Sequence, residues 1–529
     1  MEQLIQELNS RANQGQPHKI DAIQRQIQQL QSGSAAWQTS LDLLNTNDDT
    51  LRFYGALTLG LKINADWDKD SIGVDRANVA RLLEQLISRY IALASTRCSN
   101  AVLSKLASTL GALFSKGDAA WALPCRHVLA CFLAEHYVRQ DQAPSISDIL
   151  LADVKISSEA FSAVLLLAQA IHDEVDIEGG DQISHRAEIR LSNNALDIWH
   201  LINFGLCKFM QYQNSYTASL HHHKAEFVAT STDLMAFVEA VTQLIPLWVR
   251  FVDEEKEEPF ELTKLFNQSA SAITSMLNQV PDARGSAIAC LYSLENKCHA
   301  LLRRTMPTYI SDMVGSQAAR GWVQEFLDGD STPEGLAYLE TLDAILINTD
   351  LTSPAYATNS LAHQQMLQTL QSLLHCRGMA VVEDEACRPV LDMAISLVEG
   401  FSEWAATEPF YLDMKHFVEG CCAAILAKIA FPESELDRST KTWSSDDYNN
   451  FVDFRFDAQD LFQTAYSTLG PSLALQISDT VLSVSWCRFE AALYALTCLA
   501  DAIADDEIQC DTCLNRVFTS SRWQQAVSE

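Results

Sequence analysis

Few residues in this sequence are spaced for chemistry. Cys510 and Cys513 form a single CxxC. That spacing holds structural zinc when a second ligand pair completes the site, and shuttles electrons when it sits on a thioredoxin-like βαβ unit. The chain offers neither context. His221, His222 and His223 are consecutive, whereas two histidines on one helix share a metal at a spacing near i, i+4. A solvated loop is the simpler reading of that triplet. Cys421 and Cys422 lie in an apolar helical pattern and read as packing. No P-loop, strand-borne GxGxxG, HExxH or GxSxG occurs. The expectation is a protein that is not an enzyme and needs no cofactor or metal.

One charged cluster stands apart. Asp253, Glu254, Glu255, Glu257 and Glu258 follow an apolar helix ending LWVRFV and precede Pro259. Such a run reads as a solvated turn or as an electrostatic contact that steers a basic partner. The whole chain leans the same way, with 37 Lys and Arg against 68 Asp and Glu and a net charge of -31. That field repels nucleic-acid backbones and anionic membranes and favours basic protein partners. Direct nucleic-acid binding and membrane insertion are therefore not expected. The N-terminus lacks a basic region followed by an apolar one, so no secretory signal is read, and no run of about 18 consecutive apolar residues is present. The 14 cysteines are scattered, mostly inside apolar helical patterns, as in a reduced compartment.

The elements that must position these residues are helices. A composition of 48% hydrophobic and 20% charged residues is that of a folded chain. Apolar residues recur with helical period from end to end, and convincing strand alternation is missing. The periodicity predicts about twenty helices joined by short polar turns, including 49–64, 99–115, 225–252, 284–304, 307–328 and 449–468. Paired helices recurring about every 40–50 residues fit a HEAT or armadillo solenoid better than shorter repeats. The predicted fold is all-α, a HEAT-repeat superhelical solenoid.

The stretch NDDTLRFYGALTLGLKI, residues 47–63, shows what such a helix must do. Its acidic start suits a helix N-terminus. On a helical wheel, Leu59, Ile63, Ala56, Gly60, Phe53, Leu57 and Leu61 form a broad apolar arc, with Tyr54 at its edge. Arg52 interrupts the arc and must snorkel. The remaining strip is Leu51, Gly55, Thr58 and Lys62, predicted to face outward onto the surface that solenoids use for binding.

Residues 20–63, IDAIQRQIQQLQSGSAAWQTSLDLLNTNDDTLRFYGALTLGLKIN with its following residue, resemble the N-terminal region of the importin-β superfamily of nuclear transport receptors. The resemblance rests on a helix ending LQ-S, Trp37 opening the next helix, a short LL-containing helix, and the RFYGALTL-type helix ending in KI. Downstream, FVDFRFDAQDLFQTAYSTLG (451–470) and WCRFEAALYALTCLADAI (486–503) resemble paired segments midway along the transportin-SR and importin-thirteen branch. Between about 140 and 440 the likeness is in helical character alone.

The resemblance implies repeats whose second helices line the concave face. It implies Ran-GTP binding through residues 1–140, central repeats over 141–440 carrying the acidic run, and mid-chain-type repeats over 441–529. Leu51, Tyr54, Gly55, Thr58 and Lys62 become the expected Ran contacts, with Asn100, Ser104 and Lys105 from the next inner helix. Basic or Arg/Ser-rich cargo and FG nucleoporins are the other implied partners, in a receptor shuttling between nucleus and cytoplasm, with import the favoured direction. The sequence, ending RVFTSSRWQQAVSE, corresponds to roughly the N-terminal half of such a receptor. A HEAT scaffold for an enzyme complex is the alternative, since fold alone does not separate the two.

Overall fold

A computed structural model describes residues 1–10, 16–67, 76–116, 121–177, 182–213, 226–228, 231–252, 260–352, 361–404, 411–436, 442–481, 485–504, 507–519 and 523. The chain divides into two compact units, Met1–Ile273 and Thr274–Glu529.

The first unit contains α1 (Glu2–Leu8), α2 (Pro17–Ser32), α3 (Ala36–Leu44), α4 (Asp49–Asp66), α5 (Arg76–Ser95) and α6 (Asn100–Ser115). It continues with α7 (Pro124–Ala134), α8 (Ile146–Leu151), α9 (Ser158–Ile177), α10 (Gln182–Ser192), α11 (Ala195–Tyr212), α12 (Ser231–Trp248) and the first part of α13 (Phe260–Gln279). The helices form pairs. α3 packs on α4, α5 on α6, α7 on α9 and α11 on α12. The second members stack on one another in the order α4, α6, α9, α12. This is the stacking of a HEAT-type solenoid, in which each pair buries its apolar faces only against its neighbours.

Glycine sets the closest approaches. A Cβ on Gly111 would fall 2.7 Å from the Ala170 carbonyl oxygen, so α6 and α9 meet there backbone to backbone. Deeper in the unit, Phe161 of α9 lies 5.7 Å from Phe204 of α11 and 4.8 Å from Phe237 of α12, ring centre to ring centre. The expected helix over 225–252 begins later. Residues Glu226–Val228 are a strand paired in parallel with Lys155–Ser157, which seats Phe227 5.0 Å from Phe237. The segment Asp233–Phe251, 19 residues, is long and apolar enough to cross a membrane by length and composition. In the fold it packs against α9 and α11, with Phe237, Val241, Ile245 and Trp248 buried.

The second unit contains α14 (Arg284–Thr305), α15 (Tyr309–Val314), α16 (Gln317–Asp328), α17 (Pro333–Asn348), α18 (Leu361–Leu373), α19 (Cys387–Trp404) and α20 (Tyr411–Lys428). It ends with α21 (Glu433–Leu436), α22 (Ser445–Leu469), α23 (Pro471–Val481), α24 (Trp486–Cys498), α25 (Ala500–Ala504) and α26 (Glu507–Phe518). One layer stacks α14, α17, α19 and α22 in that order, backed by α16 on α17, α18 on α19 and α20 on α22. The predicted helix 307–328 is two helices, because the chain turns at Gly315 and Ser316, whose hydroxyl caps α16. Helix α14 is kinked at Cys298, with φ -150° and ψ 37°. Arg303 spans the kink, donating to Glu295 Oε2 at 2.8 Å and Oε1 at 2.5 Å, and to Thr349 Oγ1 at 2.6 Å.

Candidate protein-docking face

Helix α4 starts where its sequence says it should. Asp48 accepts from the Thr50 and Leu51 amides at 2.8 and 3.2 Å, satisfying two of the free amide donors of the first turn. Asp49 then reaches sideways. Its carboxylate accepts from the Ser99 amide at 2.8 Å and from Arg52 at 2.9 Å. The Ser99 bond, and after it Arg52, holds Asp49 below the usual carboxylate range. The start of α4 is thereby tied to the residue before α6.

The face of α4 is the main correction to the sequence reading. Leu51, Gly55, Thr58 and Lys62 do not face outward; all four are buried. Leu51 joins Ile5, Ile23, Ile27 and Leu43 in one apolar cluster. Gly55 lets α3 approach so closely that a Cβ there would lie 2.8 Å from the Ser40 carbonyl oxygen. Thr58 accepts from Gln31 of α2 at 3.0 Å and donates to the Tyr54 carbonyl at 2.7 Å. The Lys62 ammonium pairs with Asp66 one turn on. The Thr58 hydroxyl and the Lys62 ammonium thus each have a partner inside the unit. Tyr54 is half-buried against the Ile5 cluster and stays at the edge of the open face.

The side left open is part of the arc that looked most apolar. Phe53, Tyr54 and Leu57 are half-buried, Asn64 is exposed, and Leu61 is 48% exposed. Beside it, Asn100 and Ser104 of α6 are exposed and Lys105 is half-buried. The two helices are joined by Thr109 Oγ1, which donates to the Ala56 carbonyl at 2.9 Å. On α9, Ser162, Leu166 and Gln169 are half-buried and Asp173 is exposed. Three stacked helices thus present one stripe each, mixed polar and apolar.

The acidic run Asp253, Glu254, Glu255, Glu257 and Glu258 and the triplet His221–His223 lie outside the described residues. Cys510 and Cys513 fall on α26, with side chains outside that description. Cys421 and Cys422 are buried, and burial pushes the Cys421 thiol up to about 12. A thiol held so far above neutrality is a packing group, not a nucleophile. Burial raises the Cys125 and Cys290 thiols as well.

The two downstream segments singled out in the sequence meet in space. Arg455 of α22 donates to Glu490 of α24 at 2.7 Å, and its guanidinium stacks over Tyr494 at 4.1 Å and Phe431 at 4.6 Å. Tyr494 in turn donates to the Arg455 carbonyl at 2.9 Å. In FVDFRF, Phe451, Phe454 and Arg455 are buried, while Phe456 is 65% exposed.

The class these features define is an all-α HEAT-type solenoid whose stacked helices each leave a stripe open. No family model matches the chain. It is similar to the importin beta-like protein kap111 of Schizosaccharomyces pombe, at 22% identity over 529 residues, covering 96% of this chain and 50% of that protein. The chain therefore spans half the length of that relative. This lengthwise similarity supports the importin-β superfamily read from the two segments. A crystal structure of importin beta aligns over 97% of this chain and 78% of its own, at 9% identity and a TM-score of 0.18.

Proposed function

We propose that this chain is a nuclear transport receptor, or the matching half of one, that binds Ran-GTP through its first repeats and carries protein cargo between cytoplasm and nucleus. The observation that carries the reading is the similarity to an importin-β-like protein along 96% of the chain. Within this reading the branch is that of transportin-SR and importin-thirteen, the direction is import, and FG nucleoporins are contacted during passage. Basic or Arg/Ser-rich cargo is the partner that an acidic chain of net charge -31 suits.

Ran would meet the open stripes of α4 and α6: Tyr54, Leu57 and Leu61 from the first, Asn100, Ser104 and Lys105 from the second. Leu51, Gly55 and Thr58 serve this face from behind, by fixing α4 against α2 and α3, and Lys62 is held within α4 by Asp66. The acidic run 253–258 is the proposed steering contact for a basic partner. The test is a pull-down with Ran loaded with GTP or with GDP. Selective capture of the GTP form is expected. Equal capture of both, or of neither, would remove the Ran role.

A further inference from the structure

We propose that the groove between α3 and α5 in the first unit binds a small soluble molecule carrying two or more phosphate groups. The groove is lined by the first members of two helix pairs, not by α4 and α6, and owes nothing to the transport reading. It measures about 630 Å³, within the range of small-molecule sites. Leu41, Leu44 and Leu86 line its apolar part, with Leu44 and Leu86 buried. Around them stand hydrogen-bond donors: Arg81, Gln85, Ser88 and Arg89 from α5, and Asn45 where α3 ends. Among the described residues, the side chains of Asn45, Gln85 and Ser88 make no hydrogen bond.

Charge sets this groove apart. Arg52, Lys62, Arg97, Arg126 and Arg139 of the same unit each pair with a carboxylate. Among the described residues, Arg81 and Arg89 pair with none. Arg81 donates to Asn78 Oδ1 at 2.6 Å. Arg89 donates to the Leu44 carbonyl through Nε, at 2.8 Å, and through Nη2. That contact satisfies one of the last carbonyls of α3 and fixes the guanidinium at the groove. It leaves Nη1 with no partner among the described residues. Burial, and then the charge of nearby Arg52, lowers the Arg89 pKa, so a third guanidinium adds to the local positive charge. Glu84 is the one acid lining the groove among the described residues, and it pairs with neither arginine.

The anion that fits is set by chemistry and by size. A phosphate group brings three strong acceptor oxygens, and the arginine fork matches its geometry. Arg81 and Arg89 start about 12 Å apart along α5, so a ligand with two or more phosphates meets both. The net charge of -31 limits how large that ligand can be. Charges are screened beyond about 8 Å in physiological salt. A small molecule seated in the groove therefore meets mainly the arginines. A nucleic acid, an anionic membrane or an acidic protein extends over the surrounding acidic surface and is repelled.

The probe is inorganic tripolyphosphate, titrated into the full chain by calorimetry in about 0.15 M salt. One molecule per chain should bind. Arg81→Gln should weaken binding about ten-fold, and Arg377→Gln, which removes the same charge from an exposed loop of the second unit, should leave it unchanged. Glu84→Gln should tighten binding roughly three-fold, while Asp330→Asn, with the same change in net charge, should not. All four positions are exposed, so the variants disturb no core contact. Hydrogen exchange on the wild-type complex gives a reading that needs no variant: protection must appear in α3 and α5. No binding by the wild-type chain, equal loss in Arg377→Gln, no gain in Glu84→Gln, or protection confined to other helices overturns the proposal. Phosphatidylcholine vesicles containing phosphatidylinositol bisphosphate should not retain the chain. Retention that is lost in Arg81→Gln would overturn the assignment to a soluble ligand.

Discussion

Two glycines in α4 separate burial from helix propensity. Gly55 and Gly60 both sit inside the helix, so Gly→Ala gains about 0.8–1 kcal/mol of propensity at either position. Their surroundings differ. A Cβ at Gly55 would meet the Ser40 carbonyl oxygen at 2.8 Å, Leu43 Cβ at 3.1 Å and the Leu44 amide nitrogen at 3.1 Å. Two of those three contacts are backbone, which cannot rotate away. At Gly60 the one neighbour is Thr109 Oγ1 at 3.4 Å, close to ordinary contact. Overpacking of a fitted core costs roughly 1–3 kcal/mol. Propensity cancels in the comparison, so Gly55→Ala should leave α3–α4 less stable than Gly60→Ala by about 1–3 kcal/mol. A chain of two compact units need not unfold in one step, so a single melting temperature is the wrong observable. Hydrogen exchange resolved to α3 and α4 reads the local opening free energy directly. Equal protection in the two variants, or greater protection in Gly55→Ala, would refute the burial assigned to that strip.

Three further outcomes follow from buried polar groups. Thr58→Val removes the acceptor of the Gln31 amide, which is itself buried, and should cost about 1–3 kcal/mol; Gln31→Leu in the same chain should recover part of it in the α2–α4 exchange rates. Arg303→Ala strands the fully buried Glu295 carboxylate and should destabilise the second unit by about 3–5 kcal/mol in denaturant, while Glu295→Gln with Arg303→Met should cost much less. His127 accepts from Trp121 Nε1 at 3.0 Å on Nδ1, so the ring is neutral with its proton on Nε2, facing the Val138 carbonyl. Burial lowers its pKa below the ordinary value near 6.5, so the unfolded chain takes up the proton first as pH falls. Its contribution is fully present above about pH 6.5 and is lost as pH falls through the folded pKa; the protection of α7, taken relative to the intrinsic exchange rate at each pH, should fall on acidification together with a change in Trp121 fluorescence, and unchanged protection would contradict the neutral assignment.

Much of the fold was legible because helical rhythm is a local signal. The predicted 49–64 and 99–115 became Asp49–Asp66 and Asn100–Ser115, with Asp48 capping as its position suggested. Breaks decided by tertiary partners were not legible. The kink at Cys298 is clamped by Arg303 and Thr349, a residue 46 positions away, and the strand at 226–228 exists only because 155–157 lies beside it. The exposed side of α4 was misplaced for the same reason. A wheel treats Thr58 and Lys62 as surface groups and Leu57 and Leu61 as core. Gln31 and Asp66 satisfy the first two internally, while the stacking of α6 leaves Leu61 uncovered. The strip's own glycine was the available hint, since Gly55 in a helix interior marks a close backbone approach more often than a free surface. Arg455 shows the converse. The two recognisable downstream segments are joined by the Arg455–Glu490 ion pair, a contact between helices that neither segment shows alone.

On the proposed function, Ran-GTP is held on the open stripe of α4 and not on the buried strip. The most direct measurement is the affinity of Ran-GTP for wild-type chain, for Leu61→Glu, and for Leu151→Glu, which puts the same charge on a leucine of similar exposure, 45% against 48%. GTP-selective binding should fall at least about ten-fold in Leu61→Glu and stay unchanged in Leu151→Glu. Binding that ignores the nucleotide, or that survives Leu61→Glu at full affinity, would contradict it.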